Sequence, residues 1–369
     1  MATTSFGVND ALAVKLWSKT LEVEALKYTD IAPLIGDDAG SIIHRKNETS
    51  KGPGDRVTFG LRMQLSGAGF TENQLAEGNG EALTIYSDSL VINELGHVVG
   101  VKAEGTIDQQ RVPFNLREEA RDGLADWYAK RYSVAFFNQV CGYTPQTDVR
   151  FTGLQATIAP STTRIIRQSS RASDDLLTSA DVFTIDLIDK AKEMATTATP
   201  RIRPINVSGD DSGGSRRDYN KTLTDKYVMY INDYQVTDLR RSTSTGQWLD
   251  IQKAAMMGGQ TTGNPIYTGA LGEYNGVILR KSFDITLGVS AAGAAVASTA
   301  RAVLLGGQAA CMAFGQKDSP GKYRWNEELF DHKRRLEVSA WTIHGIKKSQ
   351  FNSTDYGVIV VSTYAAAHT

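Results

Sequence analysis

Two extended segments flank a long polar excursion between residues 57 and 95, and few folds accommodate that arrangement. Val57, Phe59, Leu61, Met63 and Leu65 alternate with Thr58, Gly60, Arg62 and Gln64. This period of two marks a strand with one covered face. Leu83 to Leu95 is a second, less regular extended region, and Val98 to Val101 continues it. Between them, Ser66 to Ala82 forms a 17-residue tip rich in Gly, Glu and Asn. Hairpin loops usually hold about two to five residues, so a tip of this length is a functional element or a disordered one. No catalytic residue types stand in it, which leaves contact with a partner. Phe70 and Leu75 are its main large apolar side chains, and Glu72, Glu77 and Glu81 supply charge. Such a segment buries too little apolar surface to offset its own ordering entropy. These five residues are therefore expected to find their contacts on a partner.

Helical patterns set the rest of the frame. Residues 9–35 begin helically, with Asp10 as a cap and Ala11, Val14, Trp17 and Leu21 at three- and four-residue spacing. A terminal helix with so narrow a stripe needs a surface to lie on, its own body or a neighbour's, and Trp17 is its candidate contact. Asn115 caps the longest helix, with Glu118 three residues on. Leu116, Ala120, Leu124 and Trp127/Tyr128 mark the stripe, and Gly142 follows Cys141 as a C′ residue. A helix of this length is a rod of roughly 40 Å.

From Pro145 to Pro320 the elements shorten. Helices are expected at Ala180 to Thr196 and Trp248 to Met257, and strands at Tyr227 to Ile231, Val277 to Leu279 and Ala302 to Leu305. Leu336 to Ile346 and Tyr356 to Tyr364 read as the two strands of a closing hairpin. The run Val358 to Val361 suits a strand covered on both faces.

With 369 residues, the chain exceeds what a single core supports, so two or more lobes are expected. Forty basic and 41 acidic side chains nearly cancel, which argues against a dedicated nucleic-acid binder, whose affinity comes from neutralised phosphates. Cys141 and Cys311 fit no metal or redox spacing and read as small buried hydrophobes in a reducing cytosol. No signal peptide and no run of about 18 apolar residues is present, so the chain is expected to be cytoplasmic, with no membrane segment.

Catalytic decoys are few. Gly209 to Gly214 contains Asp211-Ser212-Gly213-Gly214, similar to the surroundings of a serine-protease nucleophile. That chemistry needs a general-base His and a buried Asp, and His44 and His97 lie in unsuitable contexts, so a solvated loop is the better reading. Gly321-Lys322 lacks phosphate-loop spacing. The five histidines show no metal-ligand spacing. Glu327, Glu328 and Asp331 beside Lys333, Arg334 and Arg335 read as a solvated ion-pair face. Arg164, Arg167 and Arg171 read as surface salt bridges. No catalytic residue, cofactor or metal ligand is therefore expected.

Three blocks carry a resemblance. Lys51-Gly52-Pro53-Gly54-Asp55, then Val57-Thr58-Phe59, Leu65, Gly67, Gly69, Leu75, Glu77-Gly78-Asn79 and Glu81 form the first. Asn264 to Val277 (NPIYTGALGEYNGV) is the second and most specific. Ile343, Gly345, Lys347-Lys348, Phe351, Asp355 and Gly357-Val358-Ile359 are the third. Together they resemble the tailed-bacteriophage major capsid family typified by the coliphage N-four capsid subunit.

The resemblance implies an α+β architecture, the Johnson fold. Residues 1–50 would be an N-terminal arm, 51–104 an extended hairpin loop and 105–145 a peripheral domain with its spine helix. Residues 146–320 would be an axial domain, and 321–369 would return to the peripheral domain. It also implies a structural subunit that self-assembles as pentamers and hexamers into an icosahedral head. Implied partners are copies of itself, a portal protein, a separate scaffolding protein, decoration proteins and enclosed double-stranded DNA bound without sequence specificity. The subunit would be made in the host bacterial cytoplasm and end in the virion. Another virion structural or decoration protein, and a hydrolase using Ser212, are the alternatives.

Overall fold

The computed structural model describes residues 31–37, 40–46, 54–63, 65, 67–72, 74–75, 77–102, 105–107, 115–205, 226–242, 272–315 and 323–368. Along the chain run β1 (Ile35–Gly36), β2 (Ile43–Lys46), β3 (Arg56–Arg62), β4 (Ile85–Val91) and β5 (Asn93–Lys102). Helix α1 (Leu116–Val140), β6 (Ile165–Arg167), α2 (Ile185–Thr197), β7 (Tyr227–Ile231) and α3 (Asp233–Arg241) follow. Then come β8 (Glu273–Tyr274), β9 (Val277–Lys281), β10 (Leu287–Val289), β11 (Ala295–Leu305) and β12 (Ala310–Phe314). The last are β13 (Tyr323–Phe330), β14 (Arg335–Lys348), β15 (Gln350–Phe351), β16 (Thr354–Asp355) and β17 (Val358–Tyr364). Trp17, the expected helix at Trp248 to Met257, the Ser212 loop and most of the Asn264 block lie outside the described residues.

One sheet is organised by β14. Its Arg335–Thr342 half pairs antiparallel with β13, and its His344–Lys348 end pairs antiparallel with β12. Strand β5 pairs antiparallel with β14 from Arg335↔Lys102 to His344↔Asn93. Strands β2 and β1 extend the sheet beyond β12 in parallel. A strand of 14 residues is long enough to serve several shorter partners.

The second sheet runs β6-β17-β11-β7-β9-β8, with β10 also on β11. Strand β17 is covered on both faces, as its apolar run requires. Val358 and Val360 point into the core shared with α1, while Ile359 and Val361 face the core built on α2 and α3. The expected closing hairpin does not form: β14 and β17 lie in different sheets. Both sequences favour extended backbone, but their partners are remote strands, which short-range pattern does not encode.

Helix α1 joins the two sheets. Asn115 Oδ1 accepts from Arg117 N at 3.0 Å, capping the first turn. The helix stops before Gly142, whose φ of +62° suits a C′ glycine. A Cβ there would also sit 2.8 Å from the Ile158 carbonyl oxygen. Near its middle, the Tyr128 hydroxyl donates to the Ala340 carbonyl on β14 at 2.7 Å. At its end, Phe137 packs edge-on to Tyr230 of β7 with ring centroids 5.3 Å apart. Arg301 of β11 donates to the Cys141 and Gly142 carbonyls at 3.1 and 3.0 Å, satisfying acceptors that a helix C-terminus leaves open. Of the adjacent pair on the stripe, Tyr128 is fully buried, whereas Trp127 is half-buried and stacks on His97.

Both cysteines are buried and unpaired. Of the three arginines expected in surface salt bridges, Arg164 is an internal anchor instead, Arg167 is half-buried, and Arg171 is exposed and ion-paired as expected. Arg164 is buried and donates to the Asp355 and Pro200 carbonyls. Arg167 and Arg171 pair with the buried carboxylates of Asp174 and Asp181. A buried carboxylate requires such partners to remain charged.

Candidate intersubunit surface

Strands β3 and β4 form a two-stranded ribbon in register from Arg56↔Val91 to Arg62↔Ile85. Neither strand joins a larger sheet, and a free ribbon is marginal in water. Its root must therefore be fastened. Val57 and Leu90 are buried against Cys311 and Ala313 of β12. Phe59 meets Phe351 edge-on at 6.0 Å, and the Lys46 ammonium lies over the Phe59 ring, 5.3 Å from its centroid.

Polar contacts complete the anchor. The Asp88 carboxylate pairs with Lys347 Nζ and accepts from Gln350 N at 3.0 Å. Lys347 Nζ donates to the Ser89 carbonyl at 3.0 Å as well. Gln155 Nε2 donates to the Val91 carbonyl. Position 345 has to be glycine, since a Cβ would lie 2.4 Å from that same Val91 oxygen. Nothing in the local run Ser87-Asp88-Ser89 marks Asp88 as an anchor, and the sequence analysis missed it. Lys347 carried only a motif match.

Beyond the Met63 N to Thr84 O bond of 3.0 Å, described residues of the tip also bond to one another. Glu81 accepts from Gly67 N at 2.8 Å, Thr71 N donates to Gln74 Oε1 at 3.1 Å, and Asn79 Nδ2 donates to the Leu75 carbonyl at 3.0 Å. Leu65, Phe70, Leu75, Leu83 and Ile85 are 58%, 50%, 71%, 53% and 60% exposed. Scattered exposed apolar residues are ordinary, but this concentration on one excursion marks an interaction element.

Of the residues singled out from sequence, Phe70, Glu72, Leu75 and Glu77 lie exposed on the tip. Glu81 is exposed too, but it braces the tip through Gly67. Trp17 lies outside the described residues. Among the described residues no group of three or more His, Cys, Asp or Glu could hold a metal ion, and no helix is long and apolar enough to cross a membrane.

The solvated ion-pair face expected at Glu327 to Arg335 breaks up. Glu327 is buried, accepts from Trp325 Nε1 at 2.8 Å and pairs with Arg117 of α1 at 2.8 Å. Arg335 pairs with Glu337 at 2.8 Å.

Residues 5–367 match a family described as phage capsid protein. The major capsid protein of Pseudomonas phage KPP25 is 25% identical, over 95% of this chain and 94% of that one. Among solved structures, the capsid of Ralstonia phage GP4 is 28% identical with a TM-score of 0.73, each chain covered in full. The capsid of cyanophage Pam1 is 21% identical with a TM-score of 0.71, covering 93% of this chain and 94% of that one, and shares the fold.

Proposed function

Given that the chain belongs to the phage capsid protein family, we propose that the hairpin tip is where one subunit grips the next. The protein is the major capsid protein of a tailed phage, with the α+β Johnson fold. Its role is structural rather than enzymatic, and it assembles into capsomers of the virion shell.

The observation that carries the reading is the contrast along the ribbon. Its root is buried and fastened by Asp88 and Lys347, while its tip exposes Phe70 and Leu75 beside Glu72 and Glu77. A lever with a fixed root and an uncovered apolar end gains by covering that end on a neighbour. In this reading Trp17, on the N-terminal arm, makes a second contact of the same kind. Glu81 shapes the tip from within.

Sheet membership suggests the division into domains. The β14-centred sheet with α1 is the peripheral domain, and the β17-containing sheet with α2 and α3 is the axial domain. Strand β12 then belongs with the peripheral body, and β17 with the axial one. The near-balance of 40 basic and 41 acidic side chains suits a wall that encloses double-stranded DNA without gripping it. A portal, a separate scaffolding protein and decoration proteins are the further partners we assign, with synthesis in the host cytoplasm.

The test replaces residues 66–82 with a short Gly-containing turn. The subunit's circular dichroism should stay nearly unchanged, because the root contacts persist, and closed particles should not form. Normal particle yield from the truncated chain would show the tip to be dispensable.

A further inference from the structure

The turn between β13 and β14 is the strongest unabsorbed feature of the surface. Residues 331–335 are all exposed and carry three cations, Lys333, Arg334 and Arg335, against one carboxylate, Asp331. Arg335 is neutralised by Glu337, whereas Lys333 and Arg334 pair with no described residue. The acid that the sequence placed beside them, Glu327, is turned into the core toward Arg117. Phe330, at the edge of the turn, is 39% exposed.

The backbone of this turn is also unusual. Asp331, His332 and Lys333 have φ of +50°, +52° and +69°. Successive non-glycine residues in the left-handed region are uncommon, and such backbone tends to be kept where a segment has a fixed shape to present. An Arg334 N to Asp331 O bond of 3.0 Å closes the turn.

The hairpin tip has the opposite character. Residues 63–84 contain three glutamates and no lysine or arginine. Glu72 and Glu77 are exposed without a described ionic partner, beside the exposed Phe70 and Leu75. The root of the ribbon that carries the tip is separated from the turn within one subunit. Strand β5 follows the ribbon directly, and its first residue, Asn93, pairs with His344, while its last, Lys102, pairs with Arg335 next to the turn. The ribbon root and the turn therefore lie at opposite ends of that ladder, roughly 30 Å apart at the strand rise.

Complementary patches at two ends of one body favour a head-to-tail contact between copies, the geometry that closes into rings. We propose that the turn Phe330 to Arg335 is the receptor for the acidic hairpin tip of a second copy of this chain. Lys333 and Arg334 face Glu72 and Glu77, and Phe330 meets the tip's apolar side chains. The inference rests on the tip being an intersubunit element and names the surface it grips. One exposed ion pair contributes little. Like charges forced together at every repeat of the contact would block it.

The test is a charge exchange, scored as particle yield under conditions where the unaltered chain forms particles. Glu72→Lys with Glu77→Lys should lower the yield by at least about tenfold, and so should Lys333→Glu with Arg334→Glu. Combining all four substitutions in one chain should restore it to within about twofold of the unaltered protein, because every contact then has its charges reversed together. Full yield from the Glu72→Lys, Glu77→Lys chain would overturn this receptor, while the tip's grip itself is judged by the replacement of residues 66–82. Loss with both pairs and no recovery in the combined chain would leave the tip as a gripping element but overturn this receptor. A direct readout accompanies these chains: Glu77→Cys combined with Arg334→Cys should give a disulfide-linked ladder of subunits in assembled particles treated with an added thiol oxidant. Both native cysteines are buried, so particles without a ladder would also overturn the assignment.

Discussion

Asp88 on β4 and Lys347 on β14, 259 positions apart in sequence, form the ion pair that fastens the hairpin ribbon to the body. Both side chains are largely buried, and the carboxylate is shared with the Gln350 amide. Asp88→Asn should weaken the anchor by about 2–3 kcal/mol, the scale of a charged hydrogen bond lost away from water. The loss is expected to be local. Hydrogen exchange should speed up in residues 56–62 and 85–91 while the sheet around β14 keeps its protection. Equal deprotection of both would show that the ribbon and body unfold as one unit.

Tyr128 and Trp127 should differ in their contribution to stability. The Tyr128 ring is fully buried and its hydroxyl donates to Ala340. Burial also raises its pKa well above the usual tyrosine value, so the hydroxyl keeps its proton as a donor. Tyr128→Ala should cost about 3–5 kcal/mol in urea unfolding. Trp127→Ala should cost clearly less, because the half-buried indole keeps contact with solvent. Tyr128→Phe isolates the hydrogen bond and should cost about 1–2 kcal/mol. The reverse order for the two alanine variants would mean that the wrong face of α1 has been taken as the inner one.

His344 gives the subunit a built-in acid sensitivity. Its ring is buried beside Tyr132 and Phe314, and burial pushes its pKa down to about 3. In the unfolded chain it titrates near 6.5. Above that pH neither state carries the proton, and the folded state bears no penalty. As pH falls below about 6.5 only the unfolded chain takes up the proton, so stability drops by up to about 1.4 kcal/mol per unit until the folded pKa is reached. His344→Leu should flatten the dependence of subunit unfolding free energy between pH 6.5 and 4. An unchanged slope in that variant would assign the sensitivity to other groups.

Ser212→Ala, in the segment read from sequence as a solvated loop, should leave particle yield and subunit stability unaltered, within about 0.5 kcal/mol. Detection of a hydrolytic activity that this substitution abolishes would reopen the enzymatic alternative.

Local chemistry was legible in the sequence of this protein. The alternation from Val57 forms β3, Asn115 and Gly142 bound α1, and Tyr227 to Ile231 is a strand over the expected residues. These signals act between neighbours a few residues apart, through caps, side-chain period and backbone preference. The exposure of Phe70 and Leu75 followed from the same pattern, because a Gly- and Glu-rich tip has nothing of its own to bury them, whereas Leu65, read as lying on the covered face of its strand, is exposed.

Only the tertiary structure decided which segments meet. It placed β14 and β17 in separate sheets, turned Glu327 inward to Arg117 from 210 positions away, chose Tyr128 over Trp127 for the core, and joined Asp88 to Lys347. Extended or helical backbone is favoured residue by residue, whereas the choice of partner depends on how many remote surfaces can be covered at once. A carboxylate reads as solvated in sequence until another element arrives with the cation that lets it be buried.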